Sequence, residues 1–226
     1  MVKRLGKIIK QLFFGSVFLS VLIVVLFRFV NPPISMFMIL HFLESGNKIE
    51  KEWMPIEEIN PSVPIAFIAS EDQLFLTHSG FDVEAIQRAI ESNQSNQRVR
   101  GGSTISQQLA KNLFLYSSKS YVRKGLEAYF TFLIELIWPK KRIMEVYLNV
   151  VEMGEGVYGV PKGAELYFQK SANTVSSREA ALMATALPNP KLYSLRSPSN
   201  YMIKRANWVQ TQMRNLGGVG ILKDWY

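Results

Sequence analysis

An unbroken apolar run, LFFGSVFLSVLIVVLFRFV from Leu12 to Val30, dominates the first part of the chain. Its only charge is Arg28, close enough to the far end to snorkel into a polar interface. As a helix the run reaches roughly 28 Å at ~1.5 Å per residue, about the hydrocarbon thickness of a bilayer. Pro32-Pro33 breaks it, and Met36 to Leu40 form a second, shorter apolar stretch that either lies at an interface or begins a soluble core. From Lys51 onward the apolar positions recur at helical spacing. Ala85, Ile86, Ala89 and Ile90 do so, as do Leu126, Tyr129, Phe130, Leu133, Ile134 and Ile137, and again Ile143, Val146, Tyr147 and Val150. Ser177-Arg178-Glu179 ahead of an alanine-rich run reads as a helix start with an acid at its positive end. Gly and Pro clusters at Gly101-Gly102, Pro139, Gly154 to Pro161 and Pro188 to Pro190 punctuate these segments, and strand-like alternation is scarce. The pattern predicts an all-α domain with its chemistry on loops and helix ends, preceded by one transmembrane helix.

Charge orients that picture. Lys3, Arg4, Lys7 and Lys10 precede the apolar run with no acid among them, which puts residues 1–11 in the cytoplasm as a basic tail and everything after the span across the membrane. A cleaved signal peptide is the rival reading. Its apolar region is usually ~7–15 residues and ends at a small-residue site, whereas this run is longer and is followed by Asn31-Pro32-Pro33. The chain therefore divides into a tail (1–11), a transmembrane helix (12–30), a juxtamembrane connector (31–49) and one domain (50–226), a division the length of 226 residues allows. The net charge of +8 points to anionic partners, and beside a membrane anchor these are phosphate and lipid rather than nucleic acid. With 48% hydrophobic residues the chain is not disordered. Without cysteine it has no thiolate nucleophile, and with His41 and His78 alone it has no multi-histidine metal site.

Three clusters carry candidate chemistry. EDQLFLTHSGFD (71–82) follows the apolar run Ile65 to Ala69, so Glu71 is expected where a core helix meets a cleft, desolvated toward the pKa of a useful general base. RGGSTISQQLAKN (100–112) offers glycines, hydroxyls and amides leading into a helix, with Lys111 adding a full charge; it lacks the lysine spacing of a Walker loop. Arg123, Lys124 and Glu127 set two cations beside a carboxylate within about one helical turn. Taken singly, each has a plainer structural reading: a solvated helix end, a Ser/Thr-capped helix start, and an i,i+4 ion pair worth a few tenths of a kcal/mol.

Taken together and in this order, the clusters resemble the peptidoglycan glycosyltransferase family in its short, membrane-anchored form. The resemblance covers about Glu50 to Gly218. It extends through KKRIMEVYLNVVEMGEGVYGVPKGAELYF (140–168) to SSREAALMATALPNP (176–190). Departures are small: Ser106 stands where Thr is usual, and Lys162-Gly163 interrupts a stretch usually richer in Ala. The resemblance implies a lysozyme-like fold and a substrate, lipid II, joined to a growing lipid-linked glycan strand with inversion. Glu71 matches the family's catalytic acid and Glu127 its second essential carboxylate. Lys111, Arg123 and Lys124 would face the pyrophosphate, with Lys119 a further candidate base. Ser103, Thr104, Gln107 and Asn112 would position sugar and phosphate.

No tightly bound cofactor is implied, although a divalent cation, Mg or Mn, fits the donor subsite. The partners expected are lipid II, the growing strand, the bilayer and other wall-synthesis or division proteins, with the domain on the periplasmic side of the inner membrane. A muramidase is the alternative of another class. It needs two carboxyls ~5–5.5 Å apart, one of them protonated, and the Lys and Arg around these acids favour a diphosphate substrate instead. A non-catalytic scaffold leaves the polar motifs unexplained. A bifunctional enzyme with a penicillin-binding domain fails because no second domain fits. Two further expectations concern the membrane. Leu113 to Tyr116 are candidates for a lipid-dipping edge, with ordinary core packing the equal alternative, and residues 1–30, which carry none of the motifs, are expected to tether rather than to catalyse.

Overall fold

The computed structural model describes residues 2–84, 87, 102–118 and 120–226. The helical pattern read at Ala85 to Ile90, the Arg100-Gly101 pair and the candidate base Lys119 lie outside these residues. The fold is predominantly helical. The first helix, α1 (Val2–Phe29), takes in most of the basic tail as well as the apolar run, and is the one described helix long and apolar enough to cross a membrane. After the proline break, α2 (Met36–Ser45) starts under a capping box in which the Ser35 hydroxyl accepts from Met38 N–H. The remaining helices are α3 (Ser62–Glu71), α4 (Ile105–Phe114), α5 (Tyr121–Ile137), α6 (Lys140–Val150), α7 (Val160–Phe168), α8 (Ser177–Ala186) and α9 (Asn200–Asn215). A small sheet, not expected from the sequence, joins β1 (Glu50–Lys51) in parallel and β2 (Glu152–Gly154) antiparallel to a central β3 (Val157–Tyr158).

The centre of the molecule is α3. Every residue from Val63 to Ala69 is buried, so it is apolar all round rather than amphipathic, as a helix enclosed by others must be. Pro64 sits in its first turn, where no intrahelical N–H is required, and the Asn60 carboxamide accepts from Ser62 N–H. Helices α8 and α9 pack on it from one side, and α4, α5 and α6 form an adjoining layer.

The anchor also packs against the domain. Val17, Ser20, Val21, Val24 and Phe27, spaced at 3–4 residues, turn inward, and Val24 is fully buried. Trp138 Nε1–H donates to Val24 O at 2.8 Å, Ser20 and Tyr129 share a hydrogen bond of 2.8 Å, and the Arg142 guanidinium caps the end of α1 by donating to Phe27 O and Val30 O. Phe114 takes the core-packing alternative. It stacks between Phe27 of α1 and Phe130 of α5, while Leu113 and Leu115 are buried, so of the expected lipid-dipping edge Tyr116 alone is exposed. The apolar side chains that do face outward on this side are Val122, Leu126, Phe132 and Leu136 of α5.

Truncation separates the two roles of α1. Removing residues 1–11 leaves its inward stripe intact and is expected to leave the unfolding temperature in detergent unchanged. Removing residues 1–30 strips Val24 and Phe27 from the core and leaves Trp138 Nε1–H unpaired. At ~1.5–3 kcal/mol per buried side chain and ~2–4 °C per kcal/mol, a fall of at least about 5 °C by circular dichroism is expected. Equal unfolding temperatures for the two truncations would show that the anchor is only a tether.

Candidate active site

The chain leaves α3 through two adjacent carboxylates with different surroundings. Asp72 ends the helix with extended backbone and turns inward, where it is buried. Its Oδ2 accepts from Ile105 N–H at 2.9 Å, and both of its oxygens lie within 3.0 Å of His78 Nε2. Gly80 N–H donates to His78 Nδ1 at 2.9 Å, so Nδ1 is the acceptor and Nε2 carries the proton given to Asp72. Gly80 is required here. Its φ is +87°, and a Cβ would meet Thr131 Cγ2 and Glu135 Cγ at 2.8 Å. The Gly80 carbonyl in turn accepts from Thr104 Oγ1 at 2.7 Å. The first motif is thus folded against the start of α4, the helix of the second.

Glu71 points the other way, into a cleft of about 660 Å³ lined by Ser70, Ser103, Gln108, Lys111, Lys204 and Arg205 among others. Its Oε1 accepts from Ser70 Oγ and its Oε2 from Gln108 Nε2, each at 3.0 Å. Burial pushes its pKa above the ordinary value, and Asp72 adds to the rise; the Gln108, Ser70 and Arg205 contributions oppose it. Lys111 stands in the same cleft with its ammonium 5.5 Å from the centre of the Phe37 ring. Burial lowers its pKa and Glu127 works against that. Lys111, Gln108, Leu187 and Pro188 also line an adjoining cavity of about 180 Å³, which contains Asn112.

The second motif divides by helix phase. Thr104 is the N-cap of α4. Its hydroxyl accepts from Gln107 N–H, its own N–H donates to Gln107 Oε1, and both residues are buried. Thr104 and Gln107, expected to position substrate, have these polar groups turned into the capping box. Ser103 lines the cleft, and so does Gln108, which the sequence reading passed over. Ser106, with its retained hydroxyl, donates to Glu135, which also pairs with Lys140 at 2.8 Å.

At the start of α5 the Ser120 hydroxyl caps the helix, and Glu127 lies buried about two turns on. Arg123 and Lys124 each donate to one of its oxygens, and Arg123 Nε is fixed further by Ser118 O at 2.6 Å. Both Glu127 oxygens are thus engaged by cationic side chains. Among the described residues no group of three or more His, Cys, Asp or Glu is placed to hold a metal ion.

A fourth contribution comes from α9. Tyr201, Lys204, Arg205 and Trp208, at i, i+3, i+4 and i+7, form one face of that helix along the cleft. Arg205 lies over the Trp208 ring at 3.9 Å and donates to Ser70 O, beside Glu71. That spacing was readable in the sequence as a basic and aromatic stripe.

A base held in the desolvated state costs stability, and the sign is fixed by its raised pKa. The ionised form is disfavoured in the folded protein, so the stability that the neutral form confers is lost as pH rises through the folded pKa. Glu71→Gln, which stays neutral, is expected to unfold at the same or a higher temperature than the parent at pH 8, with the difference shrinking toward pH 4. A lower unfolding temperature at pH 8 would show the carboxylate to be stabilising instead.

The same arrangement of motifs places the chain among known proteins. The family model described as Transglycosylase matches residues 38–214, so the family's region takes in α2 as well as the domain expected from residue 50. The chain is 48% identical over 225 residues, 98% of its length and 97% of the relative's, to a biosynthetic peptidoglycan transglycosylase of Shewanella oneidensis. It is 47% identical over 210 residues to proteins of the same name from Xylella fastidiosa, covering 90% of this chain and 86% of the relative, and Xanthomonas campestris, covering 90% and 85%. The chain belongs to the transglycosylase family.

Proposed function

We propose that this protein is a peptidoglycan glycosyltransferase of cell-wall synthesis, which joins lipid II to a growing lipid-linked strand through β-1,4 links with inversion. The observation that carries the reading is Glu71: a desolvated carboxylate at the end of a buried helix, opening on a cleft that the cation Lys111 also lines. In this reading Glu71 takes the proton of the acceptor's 4-hydroxyl as that oxygen bonds to C1 of the donor. The bond from C1 to the pyrophosphate oxygen breaks, and the leaving group keeps the electron pair. Pyrophosphate leaves without a general acid when cations stabilise it. Lys111 supplies one such charge. Arg123 and Lys124, held by Glu127, supply two more in this reading, and the position of Asn112 and Ser103 on the cavity walls supports a role for them in orienting sugar or phosphate. Lys204 and Arg205 on the Glu71 side of the cleft fit the diphosphate of the acceptor.

Glu127 already accepts from Arg123 and Lys124, which supports a metal held elsewhere than on this carboxylate. A Mg or Mn ion therefore belongs to the substrate's diphosphate in this reading. The single apolar helix and the four cations before it support an inner-membrane protein whose domain lies on the periplasmic side. Wall-synthesis or division proteins are the partners to test there.

Incubation with purified lipid II tests the reading: long glycan strands are expected, whereas shortening of added strands, or binding without turnover, would contradict it. Two variants are expected to fail differently. Glu71→Gln keeps shape and loses the base, so turnover should fall by ~10²–10⁴-fold with lipid II binding near that of the parent. Lys111→Met removes a charge facing the leaving group, so binding and turnover should both fall. Wild-type turnover by Glu71→Gln would transfer the role of base elsewhere.

A further inference from the structure

Tyr147 takes no part in the reaction as described, yet its hydroxyl ends one residue away from the candidate base. The side chain is fully buried in α6, wedged edge-on against Phe67 of α3, and its hydroxyl donates to Gln108 Oε1 at 2.8 Å. The other end of that carboxamide, Nε2, donates to Glu71 Oε2 at 3.0 Å. A carboxamide has one accepting and one donating end, and a half-turn about its terminal bond exchanges them at almost no change in shape. What decides between the two orientations is the neighbours. A carboxylate demands the N–H₂ end, and a phenol hydroxyl, a stronger donor than acceptor, favours the oxygen end. We propose that Tyr147 is a positioning residue for the transfer reaction: by donating to Gln108 Oε1 it locks the amide with its N–H₂ toward Glu71, and so keeps the base ionised and aimed at the acceptor hydroxyl.

The inference rests on Glu71 being the base. Burial works against the ionised form of Glu71, and the Gln108 donor is the foremost of the interactions that work for it. If the amide turned over, a carbonyl oxygen would face the carboxylate, and that arrangement is favourable only when Glu71 is protonated. Tyr147 itself stays a donor across the working range, because burial, with Glu71 and Asp72 nearby, pushes its pKa well up. Among the described residues, the remaining polar groups around Glu71 are Ser70 and Asp72 on its own segment, Ser103 and Lys111 at α4, and Lys204 and Arg205 of α9. Tyr147→Phe changes none of them and keeps the ring that fills the core, so any change in Glu71's titration is traceable to the amide.

The test is the pH profile of kcat/KM for lipid II polymerisation by the full-length protein in detergent. A base with a raised pKa gives an acid limb, with activity falling as pH drops through it. In Tyr147→Phe that limb is expected to move to higher pH, giving about a tenfold loss on the acid side and recovery toward the parent rate above the limb. Gln108→Met should move the limb the same way, and Tyr147→Phe added to it should move it no further, since the hydroxyl has no amide left to orient. A residue that merely packs would lower the rate at every pH and leave the limb in place. That result, or additive shifts in the double variant, overturns the proposal. An unmoved limb in Tyr147→Phe together with an inactive Glu71→Gln overturns the orienting role alone, whereas an active Glu71→Gln removes the base assignment and this role with it.

Discussion

Asp72 is the joint on which the site is assembled. It lies at the end of α3, and it accepts the backbone N–H of Ile105 in the first turn of α4 while receiving the His78 proton. A carboxylate at a helix N-terminus meets unpaired N–H groups and the positive end of the helix dipole, so the contact is favourable even when buried. Its effect is to fix two segments far apart in sequence at one distance and one rotation. Once α4 is placed by this contact and by Thr104 on the Gly80 carbonyl, Gln108 and Lys111 follow, because three residues along a helix return to nearly the same face. The neighbouring carboxylate, Glu71, is then left pointing into the cleft with Gln108 and Ser70 as its partners. Two adjacent acids thus divide structure and chemistry between them, one inward and satisfied, the other desolvated.

A cation-rich cleft beside a membrane anchor poses a second constraint, for like charges gathered in a partly buried place repel one another. Beside the cleft, Glu127 lies buried and accepts from both Arg123 and Lys124, and its charge also favours the ionised form of Lys111. Lys111 is left to face the cleft, with its ammonium near an aromatic ring. The anchor contributes to the same end of the molecule. It packs along α5 and is capped by Arg142, which also pairs with Glu145, so the long apolar helix and the helix that carries Arg123 and Lys124 lie side by side. A substrate with a polyprenyl tail and a diphosphate would meet both features together.

Much of this was legible before any coordinates. The apolar run from Leu12 marked α1, and the run from Ile65 to Ala69 followed by an acid marked Glu71 as a helix-end carboxylate meeting a cleft. Gln107 and Gln108 are not distinguishable in the sequence by direction: adjacent helical residues differ by about 100°, and which of them faces the cleft depends on where the helix begins. Thr104 as N-cap settles that phase and sends Gln107 back into the capping box. The α9 stripe carried a signal in its spacing but no neighbouring motif to attract notice. The docking of α1 was not legible at all, since an apolar helix reads the same whether lipid or Trp138 covers it.

Direct titration of the Glu71 carboxyl carbon by ¹³C NMR, in the full-length protein labelled at glutamate and assigned with Glu71→Gln, tests the central claim. A base held in a desolvated site predicts a midpoint clearly above the ordinary 4.5, coinciding with the acid limb of lipid II polymerisation. A midpoint at or below that value, or one that activity does not follow, would contradict the account.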